Sequence, residues 1–435
     1  MAYETFTSIN PLALSFTIIM CIVVMTAKRE YIIIPLILTA CFITDWQRIV
    51  IFTIDFPMLR ILIILGLIRM YIRHEWSAMA FNAIDKLMIC YIIFRTILYT
   101  ILCLTVGSFI YMLGQAVDIL GGYFFVRTIV HDFNDYDRII KTLIFMSIPI
   151  SIFMLIEQFT GGHNIFSMFG GVPAMSDIRG GRLRAQGAFP HSIMAGTFGA
   201  TLLPLSWGLW QRNYRMVPVL GVINSFFIVW ASSSSGPIMT LFFEFFGLFF
   251  WLFRNYTKVA IKLFFLSLVV LHLVMSNPIW IWLARIDLVG GSTGEHRYRL
   301  FDAAVRNFSG WFALGIRDTR VWGFGLQDVT NQYIAEGTEG GVIPMVLFII
   351  IMVKCFKTIG AARTMLGSRL ELQKYIWSLG VVLFAYSITF VSITLFGQMV
   401  FFYFALLAMI SSLNNIQELK NADALNLEAI RVKNE

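Results

Sequence analysis

Charge is scarce in this sequence. Only 13% of its 435 residues are Asp, Glu, Lys or Arg, against about 25% in a soluble domain. Cysteine is nearly as rare. The five present (Cys21, Cys41, Cys90, Cys103 and Cys355) lie in or beside apolar runs and lack metal-ligand spacing. That argues against a disulfide framework or a cysteine metal site, and no cofactor is expected. The first ten residues, MAYETFTSIN, hold no Lys or Arg ahead of the first apolar run, so no cleaved signal peptide is expected. No internal repeat is visible, and the alternating apolar pattern of a membrane β-barrel is missing.

What fills the chain instead is apolar residue. The hydrophobic share is 58% and mean hydropathy is +0.77. About 20 mostly apolar residues cross a bilayer core as a helix. The expectation is an all-α polytopic membrane protein with about 12–13 spans. The runs are 11–27, 31–44, 57–71, 84–104, 108–127, 140–157, 191–210, 216–231, 237–253, 261–279, 342–356, 374–393 and 398–414. The count becomes twelve if a short run such as 31–44 fails to cross.

All ten lysines fall in or at the edge of one set of alternate connections, which the positive-inside rule makes cytoplasmic, together with the tail 415–435. The net charge of +8 is explained by those connections, so no nucleic-acid partner is implied. The other set holds the N-terminus, 232–237 and two long segments, 158–190 and 280–341. It is expected to be external, or periplasmic where the cell has an outer membrane. The chain thus divides into helices 1–157, a first external loop 158–190, helices 191–279, a large external loop 280–341, helices 342–414 and the tail.

The two long segments carry nine arginines and no lysine. Positive-inside sorting would deplete both residue types, so arginine has been kept for its own properties. Its planar fork binds phosphate or carboxylate bidentately and never loses its charge. The competing reading is that these arginines pair with the seven acids of 285–341. Arg179, Arg182 and Arg184 stand before the span that starts near His191, with Gly180, Gly181 and Gly187 as turn residues and Pro190 as a first-turn residue. An anion suits such a helix N-terminus. In the second segment Gly290, Gly291 and Gly294 break the helix. A helical pattern then resumes, with Leu300, Ala303, Ala304 and Phe308 on one face and Arg297 just after the break. Gly323 and Gly325 mark a turn, and Asp328, Thr330, Asn331 and Tyr333 lead into a helix.

The order of these features is Arg-x-x-Gly before a span, then Gly-x-x-Arg, Trp-Gly-x-Gly, Asn-x-Tyr and Glu-x-Gly in a large external loop. It resembles the O-antigen ligase and polymerase superfamily of bacterial envelope glycosyltransferases, by motif over roughly 180–345 and by topology over the whole chain. The resemblance implies a GT-C-like, metal-independent, inverting transferase in the bacterial inner membrane, with its active site on the external face. The implied donor is a glycan on undecaprenyl diphosphate and the implied acceptor a sugar hydroxyl on a glycan or glycolipid. Other polysaccharide-assembly proteins are possible partners. Arg184 and Arg297 match the family's diphosphate-holding arginines. Arg182, Arg299, His191, His296, Asn331 and Tyr333 are the further substrate-binding candidates.

The sequence departs from the family pattern at two places. Thr330 stands where ligases carry His, and 232–237 (SSSSGP) lacks an arginine. Asp328 is the first candidate for the base, followed by His296 or His191, with no discrete base as the remaining option. A polymerase or another exopolysaccharide ligase therefore fits as well as a lipid A–core ligase. The alternative from a different class is a transporter or flippase for an anionic lipid-linked glycan. A non-catalytic member of an envelope assembly complex is a third. Among intramembrane charges, Arg95 and Asp118 are expected to pair with each other, while Glu244 has no evident role.

Overall fold

A hydrocarbon environment leaves backbone groups no water to bond, so apolar runs must close their hydrogen bonds internally as helices. The computed structural model describes residues 9–52, 54–285, 293–416 and 419, and these are predominantly helical. The first half contains α1 (Pro11–Thr26), α2 (Ile33–Phe42), α3 (Met58–Ile72), α4 (Ala83–Cys103), α5 (Val106–Ala116), α6 (Gly122–Ile129) and α7 (Phe133–Phe159). The centre contains α8 (Ser192–Trp210), α9 (Met216–Ser232), α10 (Ser235–Phe249) and α11 (Thr257–Val274). The second long segment adds α12 (Trp282–Arg285), α13 (Thr293–Arg306), α14 (Phe308–Trp311) and α15 (Gln332–Gly340). The chain then runs through α16 (Val342–Met365), α17 (Leu370–Thr389) and α18 (Met399–Ser412). Two small hairpins are the described sheets: β1 (Arg48–Ile51) with β2 (Ile54–Pro57), and β3 (Ile178–Arg179) with β4 (Arg182–Leu183). The tail after 419 and Gly290–Gly291 lie outside the described residues.

Each of the thirteen apolar runs falls in a helix, as expected of an all-α membrane protein. Among the described residues five helical stretches are long and apolar enough to cross a membrane: 83–103, 106–129, 133–159, 235–274 and 342–365. The run 31–44 is the short one. Its helix α2 has ten residues. At 1.5 Å per residue it rises about 15 Å, half of a hydrocarbon core. The stretch 235–274 is bent rather than straight. Residues 250–256 form a 3-10 segment in which Phe253 leaves helical geometry (φ −104°, ψ 17°). Two helices thus meet there, as the two runs 237–253 and 261–279 predict. None of the residues of α11 is buried, so its apolar circumference is available to lipid.

The centre of the bundle is α8, which packs against α7, α9, α10 and α17. Small residues make that possible. A Cβ on Gly199 would sit 2.5 Å from Ile228 Cγ2, so only glycine lets α8 and α9 approach so closely.

The two sets of connections sort to opposite ends of the bundle. At one end Arg138 bonds Glu30, Arg212 bonds Asp137, Arg73 reaches Met25 O, Asn82 bonds Ser411 and Arg363 reaches Arg254 O. At the other, the loop end, Gln398 reaches Ile43 O and Ala188 O, Gln158 reaches Ala231 O and Arg317 reaches Leu102 O. Both long arginine-bearing segments therefore lie at the loop end.

The expected Arg95–Asp118 pair does not form. Asp118 takes a bidentate hold from Arg60, at 2.8 and 2.6 Å. Arg95 turns to Glu336 (3.5 Å) and Glu339 on α15. Matching depth does not fix which way two helices face, and α3 and α15 supply nearer partners. Asp118 lies in a π-helical turn, Val117–Gly121, between α5 and α6. Such turns are frequent at functional sites.

Candidate functional site

Three polar regions meet at the loop end. The first is the segment 158–190. Gly180 and Gly181 have φ of +58° and +73°, the left-handed pair that a two-residue hairpin requires, and they close β3 onto β4. The rest of the segment is held by α7. Glu157, buried at the end of that helix, accepts from Ser176 Oγ, Gln186 N (2.9 Å) and Gly187 N (3.0 Å). Asn164 Nδ2 donates to Gly187 O at 2.9 Å. Arg182 and Arg179 stand exposed on the hairpin.

Arg184 is different. It is 7% exposed and donates from Nη2 to Ser234 Oγ at 2.9 Å. Ser234 in turn donates to Ser232 O at 2.8 Å and lies 3.3 Å from Ser192 Oγ. Burial and nearby Arg179 push its pKa down, and Asp177 opposes them. Among the described residues Arg184 forms no ion pair. A desolvated guanidinium without a carboxylate is costly, and an anionic ligand would relieve that cost. The serine run that lacks an arginine of its own is therefore met by one from a different segment. A pairing across that distance is not legible in the sequence.

His191 caps α8 rather than standing in it, and Pro190 precedes the cap instead of occupying the first turn. His191 Nδ1 accepts from Ile193 N at 3.1 Å, which leaves the ring proton on Nε2. Burial, with Arg184 beside it, lowers its pKa from 6.5 to about 4. The ring is thus a neutral donor next to Arg184, and its acceptor nitrogen is occupied.

The second region is 293–334. Leu300, Ala303 and Ala304 pack with Leu326 and Ile334 in a core of their own. Phe308, expected on the same face, is exposed and stacks on Phe312, because α13 ends at Arg306. His296 Nε2 lies 2.9 Å from Asp328 O, and Arg299 donates to Phe324 O at 3.2 Å. Both tie α13 to the turn that follows Gly323. Arg297 lies partly buried in the second turn of α13. The Asp328 carboxylate is exposed, and the Thr330 hydroxyl is buried without a hydrogen-bond partner among the described residues. Asn331 caps α15 through Ile334 N (3.0 Å) and donates to Val391 O (3.0 Å). Tyr333 donates to Ser387 O at 2.6 Å and packs on Phe348 and Phe390. These two residues hold the segment to α17. Arg306 and Arg320 pair with Asp302 and Asp318 in their own loop.

The two segments meet through the connection between α17 and α18. Phe396 lies against His191 (ring centroids 6.3 Å), while Leu395 N donates to Gln332 Oε1 at 2.7 Å. The described partners of Arg184 are in 158–190, α8 and the 232–234 turn, so the structure joins the segments by that connection and not by direct contacts of Arg184.

The third region is a cavity of about 160 Å³ beneath this connection. Its charged lining is Asp45, Arg60, Arg95, Asp118 and Glu339, with Tyr111 and Gln115 as neutral donors. Asp45 precedes β1, and no motif in the sequence singles out Asp45 or Arg60, whereas Glu339 opens the Glu-x-Gly element. Two arginines face three carboxylates, so the cavity has no surplus positive charge for a phosphate. A Cβ on Gly397 would lie 2.7 Å from Pro190 Cγ and 3.9 Å from Asp45 Oδ2. The cavity therefore opens beside the turn that carries the arginine segment into α8. Among the described residues no group of His, Cys, Asp and Glu has metal-site geometry.

Comparison of the chain with protein-family models, with curated proteins and with solved structures gives no match.

Proposed function

We propose that this protein is a membrane glycosyltransferase that moves a glycan from undecaprenyl diphosphate to a sugar hydroxyl in the assembly of a cell-surface polysaccharide. The observation that carries this reading is Arg184: buried, unpaired with any described carboxylate, backed by Ser234, and set beside the N-terminus of a 19-residue helix. Helix dipole and guanidinium together suit a phosphate group. The leaving diphosphate gains charge in the transition state, and fixed donors there lower the barrier. Arg182 and the Nε2–H of His191 would add donors, and Arg297 would approach from the second segment. The loop end is then the external, periplasmic face, the bundle lies in the inner membrane, and the lysine-rich end and tail are cytoplasmic. Ligase and polymerase both fit this chemistry.

The test is binding of undecaprenyl diphosphate to the purified protein in lipid nanodiscs. Arg184→Ala should weaken it about tenfold to a hundredfold, the worth of one charged hydrogen-bonded contact. Arg184→Lys should remain impaired, because charge alone lacks the fork geometry. Unchanged affinity in both variants, at normal folding, would sink the reading.

One observation favours a transporter. Glu244 is fully buried in α10, and neither carboxylate oxygen has a hydrogen-bond partner among the described residues. Under that reading Glu244→Gln abolishes glycan export. Under the transferase reading export persists.

A further inference from the structure

The charged cavity is lined by six separate stretches of the chain, at 45, 57–63, 95, 111–118, 339 and 395–401. Arg60 is held by Asp118, and Arg95 by Glu339 and Glu336. Of the lining carboxylates, Asp45 alone has neither an ion pair nor a hydrogen bond to its carboxylate among the described residues. It is partly exposed, and the exposed part lines the cavity. With cationic groups neutralised and Tyr111 and Gln115 supplying neutral hydrogen bonds, the lining suits a hydroxyl-rich neutral ligand and repels a phosphate.

We propose that this cavity receives the acceptor sugar and that Asp45 is the base that takes the proton from its attacking hydroxyl. The inference rests on the transferase reading above. The Asp45 carboxylate removes the hydroxyl proton as the oxygen bonds to the anomeric carbon of the donor. The bond from that carbon to the diphosphate oxygen breaks, and its electron pair leaves with the diphosphate, held at Arg184. The proton on Asp45 then passes to water. The two halves of the reaction thus meet across Pro190 and Gly397, which touch the arginine segment on one side and Asp45 on the other.

The groups around Asp45 agree with that role. Desolvation and the charge of Asp118 raise its pKa to about 7, and Arg60 pulls it down. Arg95 and Glu339 face the same cavity from α4 and α15, and Tyr111 from α5, while Leu395–Gly397 bring no charge. His191, just beyond, is neutral above about pH 4. A base with a pKa near the working pH is both ionised and strong enough to accept a proton.

The experiment follows consumption of endogenous lipid-linked glycan in membrane vesicles from a strain lacking the gene and complemented with each variant, between pH 5.5 and 8.5. Wild type should gain rate as pH rises through about 7, because the ionised carboxylate is the active form. Asp45→Asn should lose on the order of 100-fold and lose that limb as well. Asp45→Glu should recover part of the rate with the limb displaced. Undecaprenyl diphosphate binding should be the same in Asp45→Asn as in wild type. A wild-type rate in Asp45→Asn, or a limb that persists there and vanishes in Asp328→Asn, overturns the proposal. Should Asp45→Asn fail to accumulate, Asp45→Glu decides: an unmoved limb at full rate overturns it. Loss of transfer in Asp45→Asn with Arg184→Ala and Arg184→Lys both binding the lipid normally would remove Arg184 as the diphosphate holder and leave Asp45 as the base.

Discussion

The bundle carries a charged cluster at each end, and the two are built on opposite principles. At the lysine-rich end Asp85 and Arg127 are almost wholly buried and 3.1 Å apart. Tyr123 donates to Asp85 at 2.6 Å, Ser411 donates at 3.1 Å, and Arg127 also reaches Ala80 O at 3.0 Å. Asp85 completes a capping box with Asn82 at the start of α4. Among the described residues both charges of this pair are met. At the loop end the same residue types line a cavity, and among the described residues Asp45 has no ion pair and Arg184 is buried without one. A closed network of this kind holds helices together. An open one leaves charges that a ligand can complete.

The comparison breaks first at the closed cluster. Arg127→Ala strands the Asp85 carboxylate in a fully buried site. Its expected cost is about 3–5 kcal/mol, more than a substitution at the loop end should cost. Melting of the detergent-purified protein would show it, and lipid diphosphate binding per folded molecule should be unchanged. Replacing both partners by apolar residues should recover only part of the loss, because Tyr123, Asn82 and Ser411 also use Asp85.

The open end should respond the other way, with function lost before stability. Glu157→Gln replaces an acceptor of three donors by a side chain that can satisfy fewer of them. The expected cost is about 1–3 kcal/mol. It should appear as faster amide exchange across 176–187, and as weaker lipid diphosphate binding, since Arg184 is carried by that stretch. Binding unchanged with exchange accelerated would mean that Arg184 is positioned by Ser234 alone.

Gly114→Ala is smaller still and more specific. Its Cβ would come within 2.7 Å of Arg60 Nη1, the mobile end of a long side chain. The guanidinium can move aside, so stability should change by less than about 1 kcal/mol. Asp45 would lose part of the attraction that holds its pKa down, and the limb in the pH–rate profile should move to higher pH.

These residues also show what a sequence can and cannot reveal. Hydropathy locates the helices of the bundle, because lipid demands the same apolar length wherever a span lies. Arginine without lysine marks nine positions but not their fates: Arg184 is buried without an ion pair among the described residues, whereas Arg306 and Arg320 pair with acids of their own loop. The cavity is hidden. Asp45, Arg60, Arg95, Asp118 and Glu339 come from five separate parts of the chain, and even the intramembrane pair Arg95 and Asp118 gives no sign of the partners that gather around it. Depth matches Arg95 to Asp118, but the facing of each helix decides its partner, and that depends on packing such as Phe125 against Gly66 and Phe401 against Gly122. Asn331 and Tyr333 also carry contacts that the sequence does not show. Asn331 caps α15 and bonds Val391 O, while Tyr333, inside α15, bonds Ser387 O, and these partners come from distant parts of the chain.

The subtlest difference between the ends is in their response to pH. Asp45 has a folded-state pKa of about 7, above the 3.8 of the free side chain. Between those values the folded protein binds the proton more tightly than the unfolded chain does. Its contribution to stability is therefore complete at acid pH and lost as pH rises through about 7. His191 runs in the opposite sense. Its folded pKa of about 4 lies below 6.5, so its contribution is complete above 6.5 and lost as pH falls toward 4. Below about pH 3.8 the Asp45 side chain is neutral in the folded and the unfolded chain and resembles asparagine, so Asp45→Asn should melt with wild type there and increasingly higher as pH rises toward 7. At pH 8 the variant should melt higher, because it no longer carries an unpaired charge in the cavity. A melting difference that stays flat from pH 5 to 8 would mean that Asp45 is paired or hydrated in the membrane protein. The contrast between an open and a closed cluster would then rest on Arg184 alone.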